Sequence, residues 1–268
     1  MNATPPPTAR LLWSSVVAAL LGSTVMVLVH ELVHLVSGVL LGHRSTLYPF
    51  GVDHQGDPSR LAETVMLLSA PVFSLLSGLV LMSWLPLRGR AGFWHLAWLW
   101  FAFTSTMEGV SYLCLTPFGV GDTGAAASLL GIPVWARIVA GVIGLAGMFW
   151  LARRFATHLA RHAGPVHRDR MAFSLWPWLI GMLVNMALAF AYLLSTPLEV
   201  PGGDQAAILA AGSSTLVFAP MANLFTRAVA EETYQPLELP RIPVAGLGLW
   251  ALLVAVNLLL LGPGLSVG

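Results

Sequence analysis

Three polar residues, His30, Glu31 and His34, stand in the otherwise apolar run "VMVLVHELVHLVSGVLLG". On an α-helix, residues four apart share a face, so the imidazoles of His30 and His34 can be presented to one ion. The spacing H-E-x-x-H is that of a zinc-binding helix, with two neutral imidazole ligands and an adjacent carboxylate as general base. Zinc brings the pKa of its water toward neutrality, and the carboxylate takes the proton as that water attacks a carbonyl. Ionisable groups within a span cost several kcal/mol unless partnered, which makes this trio a functional site by default; a hydrogen-bonded cluster between helices is the plainer reading. Catalytic zinc takes three protein ligands and keeps one position open. The third is expected from Asp122, in "TPFGVGDTGAAASLL", or from Glu108, in "STMEGVSYL", with Asp122 favoured. Asp122 also suits a helix N-cap. Glu108 also suits a hydrogen bond to neighbouring hydroxyls. His43 and His54 are read as solvated loop residues.

The elements that must position these groups are membrane helices. Of 268 residues, 57% are hydrophobic and 9% charged, where a soluble domain carries roughly a quarter charged residues. The fold class is therefore all-α, a polytopic integral membrane protein. About 20 apolar residues make a span, a length met near Leu11–Leu41, Leu61–Leu85, Phe93–Leu115, Val134–Leu151, Phe173–Ser195, Ala206–Phe225 and Val244–Leu261. About six to seven spans are expected, Ala206–Phe225 being the weakest. The segment "STLYPFGVDH" mixes strand formers with turn residues and predicts a short extended or hairpin piece after the first helix. The whole chain, 1–268, reads as one membrane domain with its motifs in 11–131 and accessory helices in 132–268. The start, "MNATPPPTAR", has no small-residue cleavage site, so the first apolar segment is expected to remain as a span.

Every basic residue is arginine. With a cytoplasmic N-terminus, Arg10, Arg88, Arg90, Arg153, Arg154, Arg161, Arg168, Arg170, Arg227 and Arg241 fall inside and Arg44, Arg60 and Arg137 outside, as the positive-inside rule requires. The localisation read from this is an integral protein of a bacterial cytoplasmic membrane. A net charge of +1 argues against nucleic acid as a partner. The single Cys114 excludes an internal disulfide framework and a multi-cysteine zinc site.

The order of the motifs resembles the site-2-protease-type (M50-like, M50B-like) intramembrane zinc metallopeptidases. HELVH is the first match. "LLSAPVFSLLSGLVL" is similar to the family's A-G-P-x-x-N helix start, with Ala70-Pro71 for Gly-Pro and Ser74 for Asn. "CLTPFGVGDTG" is similar to N-x-x-P-x-P-x-L-D-G, with Cys114 for Asn, Gly119 for the second Pro and Thr123 for Gly. "STLYPFGV" resembles the extended segment that follows the zinc helix. The likeness covers about the first half of the chain. It implies one zinc per chain on His30, His34 and Asp122, with Glu31 as base and then proton donor. It further implies a membrane-protein substrate unwound beside the site, where the extended segment can pair with it by strand addition.

Asn185, Asn223 and Asn257 lie in apolar segments and are read first as interhelical hydrogen-bond partners. Asn223, beside Pro220, is the expected oxyanion donor, with Ser74 a further substrate contact. Trp13, Trp94, Trp176 and Trp178 read as interface anchors. The function these readings converge on is hydrolysis of a peptide bond in a membrane-embedded or membrane-proximal protein. The alternative is a metal-binding but non-proteolytic membrane protein, a transporter or an inactive adaptor, which has no need of Glu31 as a base. A structural membrane protein with a polar cluster and no metal is the third reading.

Overall fold

The computed structural model describes residues 7–83, 92–200, 202–229 and 234–268. Arg88 and Arg90, assigned above to an inner loop, lie outside the described residues. The chain is mostly helical. Its helices are α1 (Thr8–Leu40), α2 (Arg60–Ser83), α3 (Phe93–Leu115), α4 (Gly121–Leu129), α5 (Val134–Ala163), α6 (His167–Phe173), α7 (Leu175–Ser195), α8 (Gly202–Ser214), α9 (Phe218–Met221) and α10 (Val244–Val256). Among the described residues five helical stretches are long and apolar enough to cross a membrane: α1, α2, α5, α6–α7 and the 244–261 stretch. An all-helical membrane protein is the architecture this fits.

Two of the seven expected spans take another form. The Phe93–Leu115 stretch is one 23-residue helix, about 34 Å at 1.5 Å per residue, but Thr104, Ser105, Thr106 and Glu108 lower its apolarity. It carries them because it is the central helix, packed between α1, α2 and α5. Thr104, Ser105 and Thr106 are all buried there. The Ala206–Phe225 stretch is not one helix. It breaks at 215–217, continues as α9, and ends in a 3₁₀ segment, Ala222–Val229. Pro220 accounts for the break: its ring clashes with the carbonyl four residues earlier and it has no N–H to close the preceding turn.

The core sits where α3 meets α1, α5 and α9. Trp100, Phe103, Phe155, Phe173 and Phe218 are fully buried, and Phe155 meets Phe103 edge-on with ring centroids 5.0 Å apart. Trp13, Trp94 and Trp176 are exposed, as interface anchors would be, whereas Trp178 packs against this core.

The expected hairpin is present and has a third member. β1 (Ser45–Tyr48) pairs antiparallel with β2 (Gly51–His54), and β3 (Leu265–Val267) pairs antiparallel with the other edge of β1. The C-terminal strand therefore closes on the hairpin, with Ser45 opposite Val267. His54 is half-buried rather than solvated; its Nδ1 lies 2.7 Å from Ser45 Oγ, and burial lowers its pKa. At the other end Thr8 Oγ1 donates to Asp169 Oδ1 at 2.6 Å, tying the start of α1 to the arginine-rich α6.

Small residues set the spacing of α2 against α3. A Cβ at Gly109 would come within 2.9 Å of Leu75 Cα, and one at Gly78 would meet the Thr106 backbone. Such close backbone approach is how helices pack tightly when lipid supplies no hydrophobic drive. Gly109→Leu is expected to push α2 from α3 and to lower the thermal midpoint in detergent, by an overpacking cost of about 1–3 kcal/mol. A midpoint equal to that of the wild type would remove this interface from the account.

Candidate metal centre

Helix α1 supplies both histidines because His30 and His34 are one turn apart on its inward face, 2% and 8% exposed. The third group comes from the far end of α3. There the chain makes a 3₁₀ turn, Thr116–Phe118, passes through Gly119 and Gly121 at φ 69° and 68°, and starts α4 with Asp122 in the first turn. Positive φ is the reason for glycine at both positions. A Cβ on Gly121 would also press on the Tyr112 ring, and one on Gly124 would meet the Gly119 backbone. Thr123 Oγ1 donates to the Tyr112 carbonyl at 2.7 Å, and Thr116 Oγ1 donates to Thr123 Oγ1 at 2.8 Å. The turn is thus latched onto α3. Asp122 is held by this latch rather than by N-capping, since no side-chain cap bond forms at that helix start.

Three ligand atoms converge. His34 Nε2 lies 3.1 Å from His30 Nε2 and 3.1 Å from Asp122 Oδ2, and His30 Nε2 lies 3.4 Å from the same oxygen. A tetrahedral zinc with bonds of about 2.0–2.1 Å separates its ligand atoms by about 3.3–3.4 Å. The observed triangle has that size. Among the described residues this trio is the group of His, Cys, Asp or Glu whose ligand atoms gather in this way. His158 and His162 are also four apart on a helix, and His162 packs on His95 with ring centroids 5.4 Å apart. The spacing alone therefore does not make a site.

The partners behind the ligands decide what the imidazoles can bind. His34 Nδ1 lies 2.8 Å from the Met66 carbonyl oxygen, which can only accept. The proton therefore sits on Nδ1, and in the neutral ring Nε2 presents a bare lone pair to the carboxylate and to His30. His30 Nδ1 is 3.2 Å from Ser74 Oγ, and its ring stacks on Tyr112, centroids 5.4 Å apart and 1° from parallel. Ser74 Oγ can donate or accept, so it permits either tautomer of His30. With the His30 proton on Nδ1, two lone-pair nitrogens and a carboxylate oxygen face one another and repel unless a cation or a proton stands between them. Such backing hydrogen bonds are what fix the tautomer of metal-bound histidine. Pro71 lies inside α2 and removes the N–H that would serve the Leu67 carbonyl, while the Met66 oxygen accepts from Ser69 Oγ at 2.9 Å as well as from His34.

Glu31 and Glu108 are not part of the triangle. Both line a cavity of about 530 Å³ that also meets Tyr112, Gly121 and the hairpin turn at Pro49 and Phe50. Glu31 is 9% exposed, and the cavity is where that exposure lies. Glu108 sits one turn before Tyr112 on α3, facing the same space. The two residues expected to contact substrate are placed elsewhere. Ser74 is 3% exposed and backs His30 instead. Asn223 Nδ2 donates to Ser174 Oγ at 2.9 Å and to the Pro220 carbonyl at 3.1 Å, because the break at Pro220 turns it toward α7; it does not line the cavity. Sequence reasoning missed Tyr112 as a site residue. Its hydroxyl reaches to 3.3 Å from His30 Nε2, and the one available signal was its position four residues after Glu108.

Compared with protein-family models, with curated proteins and with solved structures, the chain finds no match. The site therefore rests on its own geometry. Asp122→Ala and His34→Ala are expected to weaken zinc binding by more than the roughly 10–100-fold that losing an outer partner costs, Ser74→Ala by about that amount, and Glu108→Gln by little. Isothermal titration of metal-stripped protein distinguishes them. Zinc held equally by Asp122→Ala and the wild type would dissolve the triangle as a metal site.

Proposed function

We propose that the chain is an intramembrane zinc endopeptidase of the site-2-protease type, acting on a membrane-embedded or membrane-proximal protein. The observation that carries this reading is the placement of Glu31: it follows a ligand histidine directly, yet opens onto the cavity instead of joining the ligand triangle. A site that only stores or carries metal has no use for a carboxylate so placed, whereas hydrolysis needs a base beside the reacting water.

His30, His34 and Asp122 would hold one zinc per chain, which fits the triangle's size and the lone pair that His34 turns inward. Zinc, when bound, supplies the Lewis acidity that makes water a nucleophile at neutral pH. Glu31 takes the proton from the attacking water at its carboxylate oxygen and returns it to the leaving amine nitrogen. Ser74 and the Met66 carbonyl keep the two imidazoles in register through that cycle. Tyr112, at the edge of the triangle, has its hydroxyl where a donor to developing negative charge on the substrate carbonyl would be useful. The hairpin turn at Pro49 and Phe50 closes one side of the cavity and limits access of bulk water.

The same reading sets the chain in the bilayer with α1 starting on the cytoplasmic side. The Thr8–Asp169 contact supports it, since it gathers the N-terminus and the arginines of α5 and α6 at one end. The hairpin, β3 and Arg44, whose Nε donates to the Gly268 carbonyl at 3.0 Å, are then at the other. On this topology α3 is a crossing surrounded by protein, and the broken 202–229 stretch returns the chain to the cytoplasmic end, so that α10 leads back to β3 beside the hairpin.

Glu31→Gln is expected to keep stoichiometric zinc and to lose at least about 100-fold in cleavage rate, the usual scale of general-base catalysis. Metal analysis and hydrolysis of a reconstituted membrane-spanning reporter measure the two together. Bound zinc with cleavage indifferent to Glu31 would end the peptidase reading and leave a metal-binding, non-proteolytic protein.

A further inference from the structure

The cavity in front of Glu31 has a second polar wall, about which the ligand triangle says nothing. It is made by α7 and by the last turn of the chain's final helix. Helix α10 does not end as an α-helix but passes into a π-helical turn, Asn257–Leu261, before Gly264 leads into β3. π-turns insert one extra residue and occur often at functional sites. Here the turn begins at Asn257, directing it inward while Leu259 and Leu260 remain exposed.

Asn257 is 4% exposed and lines the cavity together with Asn185 and Tyr192. One end of its carboxamide is used: Nδ2 donates to Tyr192 Oη at 3.3 Å. The other end, Oδ1, is buried without a partner. Leaving such a group unsatisfied is costly, and exchanging the amide's nitrogen and oxygen would only transfer the vacancy to the other atom. Asn185, by contrast, is engaged with Ser23 Oγ, to which its Nδ2 donates at 3.2 Å. Asn257 is thus the buried amide on this wall with unused capacity.

The chemistry that fits is a peptide backbone. An unwound stretch of a membrane segment carries N–H and C=O groups that lipid cannot satisfy, and it presents one of each per residue, so it can match the free amide pole in either orientation. The remaining wall is largely apolar, with small side chains at Ala189, Ala211 and Gly212, and suits apolar substrate side chains. A cavity of about 530 Å³ lies within the roughly 300–1,000 Å³ of ligand sites.

Resting on the peptidase reading, we propose that Asn257 is a substrate-positioning residue whose free carboxamide oxygen accepts a backbone N–H from an unwound apolar peptide segment lying in the cavity across from Glu31.

The test uses the full chain carrying Glu31→Gln, in bicelles, and two fluorescent Leu/Ala peptides of about 24 residues, long enough to span. One is interrupted at its centre by Asn-Gly, and its twin is uninterrupted. The interrupted peptide is expected to bind more tightly. Adding Asn257→Leu should weaken its binding about tenfold, the scale of one hydrogen bond with its desolvation, and leave the twin unaffected. Asn257→Gln, which keeps a carboxamide, should recover most of the loss. Zinc content and thermal midpoint report the fold. Should Asn257→Leu not fold, Asn257→Ala decides, because it removes the carboxamide without adding bulk; the same loss is required of it. Unchanged binding in the folded variant, equal loss for both peptides, or no binding of either peptide to the parent overturns the proposal. Cleavage of the interrupted peptide by the chain with Glu31 intact is scored separately: no hydrolysis with Asn257-dependent binding sinks the peptidase reading and keeps this site.

Discussion

The hydrogen bond from His34 Nδ1 to the Met66 carbonyl, 2.8 Å long and buried between α1 and α2, determines more of this structure than its size suggests. A carbonyl can only accept, so the bond places the imidazole proton on the outer nitrogen and turns the other toward Asp122 and His30. In a bundle of apolar helices every polar atom must find such a partner, because neither lipid nor packed side chains will solvate it. The α2 helix meets that requirement with the Met66 carbonyl and with Ser74, which stands behind His30.

The same constraint explains why α3 is where it is. Its run of buried threonine and serine hydroxyls, followed by Glu108 and Tyr112, would be costly on a lipid-facing helix. Surrounded by α1, α2 and α5, these side chains are kept from lipid, and Thr106 donates to the Ala102 carbonyl at 3.0 Å. The glycines that let α2 approach α3 bring Ser74 and Tyr112 to opposite sides of one imidazole. At the end of α3, two left-handed glycines and a threonine latch then carry Asp122 to the histidines across 88 residues of sequence.

The two ends of the molecule do different work. The arginine-rich end is tied through Thr8 and Asp169. The other is a small sheet in which the C-terminal strand covers the outer edge of β1. The edge of β2 remains as the one the hairpin offers among the described strands, and the hairpin turn at Pro49 and Phe50 borders the cavity that Asn257 also lines. Under the proposed peptidase function, both features would offer hydrogen bonds to the backbone of an unwound substrate.

What the residues determined by themselves was local. Composition and run length point to a helical membrane protein, the i, i+4 spacing of His30 and His34 puts two imidazoles on one face, and the glycines around Asp122 mark a break that can redirect the chain. These are properties of one helix or one turn, and short-range geometry decides them. Which carboxylate joins the histidines was not of that kind: Asp122 and Glu108 were both plausible, and the latch of Thr116 and Thr123 on Tyr112 brought the first to the triangle while the second turned to the cavity. Asn223 and Asn257 form the interhelical hydrogen bonds expected of them, but their particular partners, like that of Ser74, were invisible, because a buried amide or hydroxyl has no periodic signature and its meaning depends on which helix packs against it. The Pro220 break and the π-turn at Asn257 directed one asparagine to Ser174 and the other to the cavity, and only tertiary packing distinguishes two residues of the same type in equally apolar surroundings.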